Sequence, residues 1–290
     1  MNALHALTAG LALALSACGA DAPADSALVT AAPSVSPVSA VSTPSTNPYR
    51  FDQPVARFEM PDALREISAL TVLDADHLGA VQDEDGDLYV LSTETGRVEA
   101  VVSFGPPGDY EGIERVGDRL FVLRADGAVL ELDGWTGDEA RATVFETGLG
   151  ADACDAEGLG SDGRRLLIAC KEDDGDDLNR VYAVDLATMA LVPEPVFSLD
   201  PDTVPGDKKL RPSALAVHPF TGHTVVLSSR REALVALDAD GAVVDVWDLG
   251  PAGFEQPEGL TFLPNGDALV SSEGGDGPAV ILRFAYRPAP

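Results

Sequence analysis

Basic residues are scarce in this chain of 290 residues, which has 19 Lys and Arg against 48 Asp and Glu and a formal net charge of −29. A surface of this sign repels the phosphates of nucleic acids and the headgroups of anionic lipids. We therefore expect no nucleic acid partner and no direct contact with lipid headgroups. Acidic surfaces keep proteins soluble, which accounts for most of this charge, and they also attract cations.

Histidine is also scarce, and the sequence has only His5, His77, His218 and His223. The first directly precedes an apolar N-terminal run, and the other three lie in predicted turns. No Gly-x-Ser-x-Gly motif occurs, and no glycine-rich loop opens a helix to bind phosphate. The sequence thus offers no candidate for a histidine metal centre, a serine–histidine nucleophile or a nucleotide site.

No apolar run is long enough for a transmembrane helix. The run Ala6–Leu15 has the length of a signal-peptide core, and the residues Leu15-Ser16-Ala17-Cys18 resemble the lipobox of bacterial lipoproteins. We predict that residues 1–18 are a lipoprotein signal peptide and that Cys18 is lipidated. The alternative is an ordinary secretory signal with an unmodified cysteine. Gly19 favours the outer over the inner membrane, so we expect the periplasmic side of the outer membrane, contacted through the lipid alone.

The remaining cysteines, Cys154 and Cys170, are an even pair in an oxidising compartment. They can form a disulfide or remain two buried thiols, and the sequence leaves both open. Residues 19–50 are rich in Ala, Ser, Thr and Pro and predict a flexible tether. The folded domain is expected over residues 51–290.

A short motif recurs in this domain at steps of about 45 to 56 residues, the spacing of propeller blades. The copies are Glu66-Ile67-Ser68-Ala69-Leu70, Glu111-Gly112-Ile113, Glu157-Gly158-Leu159, Ser213-Ala214-Leu215 and Glu258-Gly259-Leu260. Apolar strands and tight Asp-Gly turns follow each copy. We predict an all-β, five-bladed β-propeller of four-stranded antiparallel blades. The early strand Ala56–Met60 is expected to complete the last blade, and six blades would need sequence that the chain lacks.

Several of these motifs together resemble a known family. They are Gln256-Pro257-Glu258-Gly259-Leu260 with Pro264-Asn265-Gly266, Ala156-Glu157-Gly158-Leu159 with Ala169-Cys170-Lys171, and Arg211-Pro212-Ser213-Ala214-Leu215 with His218-Pro219. In this order they are similar to the SdiA-regulated (YjiK-like) family of exported lipoprotein β-propellers, distantly related to NHL-repeat propellers. The resemblance covers roughly Arg57 to Tyr286. It implies a five-bladed propeller that binds calcium and has no assigned reaction.

The repeated glutamate defines the first candidate site. The first strand of each blade lines the central channel of a propeller, so equivalent residues form a ring. We expect this ring to contain Glu66, Glu111, Glu157 and Glu258, with Ser213 in the fifth place. Such carboxylates cannot all stay ionised without a compensating cation, and their oxygens suit Ca²⁺. In the alternative, each glutamate accepts hydrogen bonds from amides of the neighbouring blade.

A second group of side chains is expected at the same mouth, where the second strands end. Its members are Glu84, Arg124, Lys171, Ser229 and Glu273. Arg124 is expected to neutralise Glu111. Lys171 is expected to neutralise Glu157. This leaves Glu66 and Glu258 uncompensated, with Glu84 and Glu273 beside them, as the best location for calcium.

The sequence therefore predicts a lipid-anchored, non-catalytic propeller of the cell envelope that is monomeric and binds calcium at its mouth. Its candidate partners are an envelope protein or a small anionic ligand. The alternative function is a calcium-dependent, phytase-like phosphoesterase. Such an enzyme needs several bridged cations and basic side chains on the phosphate. Arg124 and Lys171 are the basic residues predicted near the ring, with Arg230 and Arg231 as further candidates.

Overall fold

The computed structural model describes residues 47–150, 154–173 and 178–288. The predicted signal peptide, Cys18 and most of the predicted tether lie outside this part of the chain. The described residues form strands together with three short 3₁₀ segments, Asp62–Leu64, Pro201–Thr203 and Gly250–Ala252. None of the helices in these ranges has the length and apolarity to cross a membrane.

The strands form five antiparallel sheets, which are the blades. The strand β1 (Ala56–Glu59) precedes the first blade, which comprises β2 (Ile67–Val72), β3 (His77–Gln82), β4 (Asp87–Ser92) and β5 (Val98–Ser103). The second blade comprises β6 (Tyr110–Val116), β7 (Arg119–Arg124), β8 (Val129–Asp133) and β9 (Arg141–Phe145).

The third blade comprises β10 (Cys154–Ser161), β11 (Arg165–Asp173), β12 (Asn179–Asp185), β13 (Ala190–Leu191) and β14 (Phe197–Leu199). Its outer position is divided, because β13 and β14 both pair with β12. The fourth blade comprises β15 (Pro212–Val217), β16 (Thr224–Ser228), β17 (Ala233–Leu237) and β18 (Val243–Asp248). The fifth contains β19 (Gln256–Phe262), β20 (Ala268–Glu273) and β21 (Val280–Phe284).

The blades pack face to face, and this explains the sequence of their middle strands. Every residue of β16 and β17 is buried, so both strands are apolar almost throughout instead of alternating. Outer strand β18 has water on one side and contains exposed residues. Apolar clusters accordingly lie between neighbouring blades. One of them joins Leu227 of the fourth blade to Leu260 and Phe284 of the fifth.

The innermost strands are arranged in a ring. β2 contacts β6, β6 contacts β10, β10 contacts β15, β15 contacts β19, and β19 contacts β2. In addition, β1 pairs antiparallel with β21, with Glu59 opposite Val280. The all-β, five-bladed architecture predicted from the repeats is thereby confirmed.

Residues before β1 also pack on the fifth blade. Tyr49 and Phe51 are buried, although the sequence places Tyr49 in the predicted tether. The hydroxyl of Tyr49 donates a hydrogen bond of 2.8 Å to the carbonyl of Gly266, in the turn between β19 and β20. It also lies 2.9 Å from Nε2 of His218, in the turn between β15 and β16.

The innermost strand of each blade has a β-bulge in its pairing with the second strand. The bulge occurs at the same position in all five blades, and the bulged residue has no paired residue opposite it. The register shifts fall at Ile67/Ala69, Tyr110/Gly112, Ala156/Gly158, Pro212/Ala214 and Pro257/Gly259. The residues at the bulge position are therefore Ser68, Glu111, Glu157, Ser213 and Glu258. They are the equivalent residues of the five blades.

The residue after each bulge is Gly or Ala, because the next blade lies very close. A Cβ built on Gly158 would come within 2.9 Å of the backbone of Ala214 and Leu215. One built on Gly112 would come within 2.6 Å of the Cβ of Leu159. The small residue of the repeated motif thus permits neighbouring inner strands to approach.

Candidate functional site

The bulge register changes the membership of the predicted ring. In the first blade the position equivalent to Glu111 is held by Ser68, whereas Glu66 lies two residues earlier, in an exposed turn before β2. The sequence alignment matched the glutamates and so placed Glu66 in the ring. The ring in the structure contains three glutamates and two serines.

The two serines link neighbouring blades. Oγ of Ser68 donates a hydrogen bond of 2.7 Å to the carbonyl of Tyr110, the residue before Glu111. In the same way, Oγ of Ser213 donates one of 3.1 Å to the carbonyl of Pro257, the residue before Glu258. Both side chains are buried. At these two blade junctions the bulge residue stabilises the packing of the inner strands.

Lys171 provides the positive charge of the ring. Its Nζ donates a hydrogen bond of 2.7 Å to Oε1 of Glu157, whose side chain is only 6% exposed. This ion pair was predicted. Burial still raises the pKa of Glu157 to about 7, because Lys171 offsets only part of it and Glu258 raises it further.

Glu258 is held by several donors. Burial raises the pKa of this carboxyl, and the ammonium of Lys171 opposes the shift. The side chains of Ser213, Gln256 and Ser229 also lower the pKa of Glu258. Ser213 and Ser229, both predicted site residues, therefore support the glutamate of the next blade.

Glu111 is not neutralised as predicted. The guanidinium of Arg124 instead pairs with Asp126, with Nε 3.1 Å from Oδ1. Arg124 lies opposite Tyr110, and the next residue, Ala125, holds the position that Lys171 holds in the third blade. Since side chains alternate along a strand, Arg124 belongs to the other face. Burial, with Glu157 second, raises the pKa of Glu111 to about 9, and a hydrogen bond with Asp109 adds to the shift.

The register also defines the second group at the mouth. In each second strand it is the residue after the one that pairs with the residue preceding the bulge. Its members are Asp83, Ala125, Lys171, Ser229 and Glu273. Lys171, Ser229 and Glu273 were predicted. Glu84 lies one residue beyond Asp83, in an exposed turn.

One side of the mouth is strongly acidic, and we call Glu66, Asp83, Glu84 and Glu273 the acidic seam. Burial, followed by the charge of Glu66, raises the pKa of Asp83 to about 6. Burial, followed by Glu258 and Asp83, raises that of Glu273 to about 7. Oδ1 of Asp83 is buried without a hydrogen-bond partner among the described residues.

Calcium fits the chemistry of this seam, since all its donors are carboxylate oxygens and one buried oxygen has no protein partner. Asp83 would hold the ion, with Glu66 and Glu273 beside it. Within residues 47–150, 154–173 and 178–288, however, no three His, Cys, Asp or Glu side chains converge as a preformed set of metal ligands. The seam side chains would have to close on the ion.

A disulfide supports the third blade at this mouth. Cys154 and Cys170 are bonded, which settles the alternative that the sequence left open. Cys170 directly precedes Lys171, and Cys154 lies three residues before Glu157. The bond thus ties together the ends of the two strands that carry the ion pair.

A cavity of about 410 Å³ opens beside the ring between the third, fourth and fifth blades. Its lining residues are Lys171, Arg211, Ser229, Arg230, Glu232, Glu255, Gln256 and Glu258. Three of these were predicted as site residues. Arg211, Glu232 and Glu255 were not, because they flank the strands and follow no repeat, and Gln256, the first residue of β19, precedes the repeated motif.

Glu114 is a further acidic residue that the sequence analysis missed. It lies three residues after Glu111 on β6, and Oγ1 of Thr71 donates a hydrogen bond of 3.3 Å to its Oε2. Burial raises the pKa of Glu114 to about 8. The second blade therefore places two protonatable carboxyls on its innermost strand.

These features define a class of protein, a five-bladed β-propeller with a carboxyl-rich channel mouth. The family model for SdiA-regulated proteins matches residues 46–284, and the chain belongs to this family. A comparison with curated proteins finds no match.

Solved structures share the fold at low sequence identity. Glutaminyl cyclase from Myxococcus xanthus is 15% identical with a TM-score of 0.60, covering 81% of this chain and 97% of that one. A luciferin-regenerating enzyme is 12% identical with a TM-score of 0.51, covering 82% and 98%. A structure of unknown function from Bacteroides thetaiotaomicron is 12% identical with a TM-score of 0.53, covering 75% and 55%. At these identities the likeness concerns the fold alone.

Proposed function

We propose that this protein is a lipid-anchored, non-catalytic binding propeller of the cell envelope that takes up calcium, together with a small ligand or protein partner, at its channel mouth. The observation that carries the proposal is the unpartnered, buried Oδ1 of Asp83 within the acidic seam. The charge of Glu66 adds to the raised pKa of Asp83, and the charges of Asp83 and Glu66 both raise the pKa of Glu273.

The charge balance of the mouth supports this proposal. Five carboxyls in the ring and the second group have raised pKa values, those of Asp83, Glu111, Glu157, Glu258 and Glu273. Lys171 is the single ammonium among them. A bound calcium ion would supply the missing positive charge. Because the carboxyls must lose protons to coordinate it, affinity should rise with pH.

The test is a calcium titration of the purified full chain, read out as melting temperature. A ligand of the native state alone stabilises by RT ln(1 + [L]/Kd), which is about 2.7 kcal/mol at a hundredfold excess over Kd. We expect Asp83→Asn and Glu273→Gln each to remove most of this shift. The matched control is Asp118→Asn, in the exposed turn at the opposite end of the β6–β7 hairpin.

The pH of the titration is part of the design. The shift should be larger at about pH 8 than at about pH 5.5, because the raised pKa values of Asp83 and Glu273 lie between them. A calcium shift that survives both seam substitutions unchanged would contradict the seam as the site. So would equal loss in the Asp118→Asn control.

A phosphoesterase is the second candidate, and the observation that favours it is the basic wall of the cavity beside the ring. Lys171, Arg211 and Arg230 could contact a phosphate there. This function requires turnover of phosphomonoesters that EDTA abolishes. Absence of turnover across a phosphomonoester panel with calcium present would exclude it.

A further inference from the structure

The cavity beside the ring has walls of opposite charge. Lys171, Arg211 and Arg230 come from the third and fourth blades. Glu258 lies in β19 of the fifth blade, and Glu255 directly precedes that strand. Glu232 is an acidic residue on the basic side, and it forms an ion pair with Lys208.

Most of these charges are already used within the protein. Lys171 pairs with Glu157. The charge of Glu258 is opposed by that of Lys171, and the side chain of Ser229 also lowers its pKa. These charged groups already interact with other residues of the protein, so they are less available to a bound molecule.

Arg230 and Glu255 differ from the others. Both are exposed, and both line the cavity from different blades. In the part of the chain that the structure describes, neither forms an ion pair, either with the other or with a third residue. The cavity therefore presents one free positive and one free negative group on neighbouring blades, and the polar side chains of Ser229 and Gln256 also line it.

We propose that this cavity binds a small zwitterion, a molecule that carries a carboxylate and an ammonium group as free amino acids and short peptides do. Arg230 contacts the carboxylate, with Arg211 beside it. Glu255 contacts the ammonium. Ser229 and Gln256 supply hydrogen bonds, and a volume of about 410 Å³ accommodates a molecule of this size.

This inference rests on the proposed function, because it specifies the chemical class of the small ligand at the mouth. Binding of that ligand does not require calcium. The acidic seam lies on Glu66, Asp83, Glu84 and Glu273, and none of these residues lines the cavity. The calcium site and the zwitterion site can therefore be tested, and contradicted, independently of each other.

The test is isothermal titration calorimetry on the purified full chain with L-glutamine and glycyl-L-glutamine, which represent the amino acid and the peptide. Two matched probes each lack one charge, glutaric acid monoamide without the amine and 4-aminobutanamide without the carboxylate. We expect saturable binding of at least one zwitterion. Loss of either charged group should weaken it about tenfold or more.

The variants Arg230→Gln and Glu255→Gln should each weaken zwitterion binding about tenfold. Since both residues are exposed, their melting temperatures should equal that of the wild type. Arg97→Gln and Glu94→Gln, at exposed positions of the first blade, are the matched controls and should bind normally. Asp83→Asn should reduce the calcium response and leave zwitterion binding intact.

Three results would overturn the proposal. The first is no saturable binding of either zwitterion, with or without EDTA. The second is equal binding of a probe that lacks one charge. The third is wild-type affinity in both Arg230→Gln and Glu255→Gln. Absence of any calcium-induced rise in the melting temperature of the wild type, with normal zwitterion binding, would overturn the calcium site alone.

Discussion

At the scale of single residues, the carboxyl of Glu114 is harder to ionise in the folded protein than in the unfolded chain. Burial raises its pKa to about 8, although Oγ1 of Thr71 donates a hydrogen bond to this carboxyl. In the unfolded chain the same carboxyl titrates near its ordinary value of about 4.3. As pH rises between these values, the unfolded chain loses the proton first, so stability falls.

We therefore predict that Glu114→Gln gains stability relative to the wild type as pH rises. The difference in free energy of unfolding should be smallest at about pH 4 and should grow by on the order of 1–3 kcal/mol towards about pH 8. Urea unfolding at several pH values measures it. Glu94→Gln, an exposed control, should give a difference that hardly varies with pH. A flat difference for Glu114→Gln would show that the carboxyl ionises freely in the folded state.

Among the residues of the mouth, sequence reasoning found those whose chemistry follows the repeat. Glu111, Glu157 and Glu258 are equivalent in the structure, and Lys171 pairs with Glu157 as expected. Arg124 was assigned to the wrong partner, because a shift of one residue along a strand reverses the direction of a side chain. The residue sequence of β7 does not by itself show which side chain faces the channel.

At the scale of elements, the β-bulge explains why the predicted ring was wrong at one position. The motif was aligned on glutamate, which selected Glu66 in the first blade. Aligning the small and apolar residues instead would have matched Ser68-Ala69-Leu70 with Ser213-Ala214-Leu215, which is the structural equivalence. The number of blades was predictable because hairpin turns and apolar strands are local signals. The register was not, because it depends on contacts between strands.

The small residue after the bulge gives a prediction at this scale. Gly158→Ala should destabilise the protein by about 1–3 kcal/mol, because the new methyl meets the backbone of the fourth blade. Gly277→Ala is the control, since its nearest heavy atom, at 3.7 Å, is at ordinary contact distance. Chemical denaturation compares the two variants. Equal stability would mean that the inner strands can move apart without loss.

The disulfide is the other element that organises the mouth. It closes a segment with a sequence separation of 16, for which chain entropy predicts about 3 kcal/mol of stabilisation. We expect the double variant Cys154→Ala/Cys170→Ala to lose about this amount and to weaken the Glu157–Lys171 ion pair. Denaturation in oxidising and reducing buffer measures the first effect. A reductant that changes the wild type but not the double variant would confirm that the loss comes from the bond.

At the scale of the whole molecule, the ring of inner strands joins the two ends of the folded domain. β19 contacts β2, and β1 pairs with β21. Both ends of the domain therefore contribute to the fifth blade, whose Glu258 and Glu273 belong to the mouth. Stability of the terminal strands and shape of the candidate site are coupled through this blade.

The predicted lipid anchor is tested on the full chain in cells. Cys18→Ala should move the protein from the membrane fraction to the soluble fraction of the envelope. Ser16→Ala is the control, because it keeps a small residue before the cysteine. Retention of the Cys18→Ala variant in the membrane fraction would contradict lipidation at this residue.

The contact between Tyr49 and Gly266 shows at which end of the fifth blade the segment before β1 packs. Gly266 lies in the turn after β19, at the end of that strand opposite Glu258. The polypeptide thus enters the folded domain on the face remote from the acidic seam and the cavity. The segment before β1 and the carboxyls of the mouth therefore occupy opposite ends of the fifth blade, so a substitution at Tyr49 changes the packing of that segment without removing a contact of the mouth.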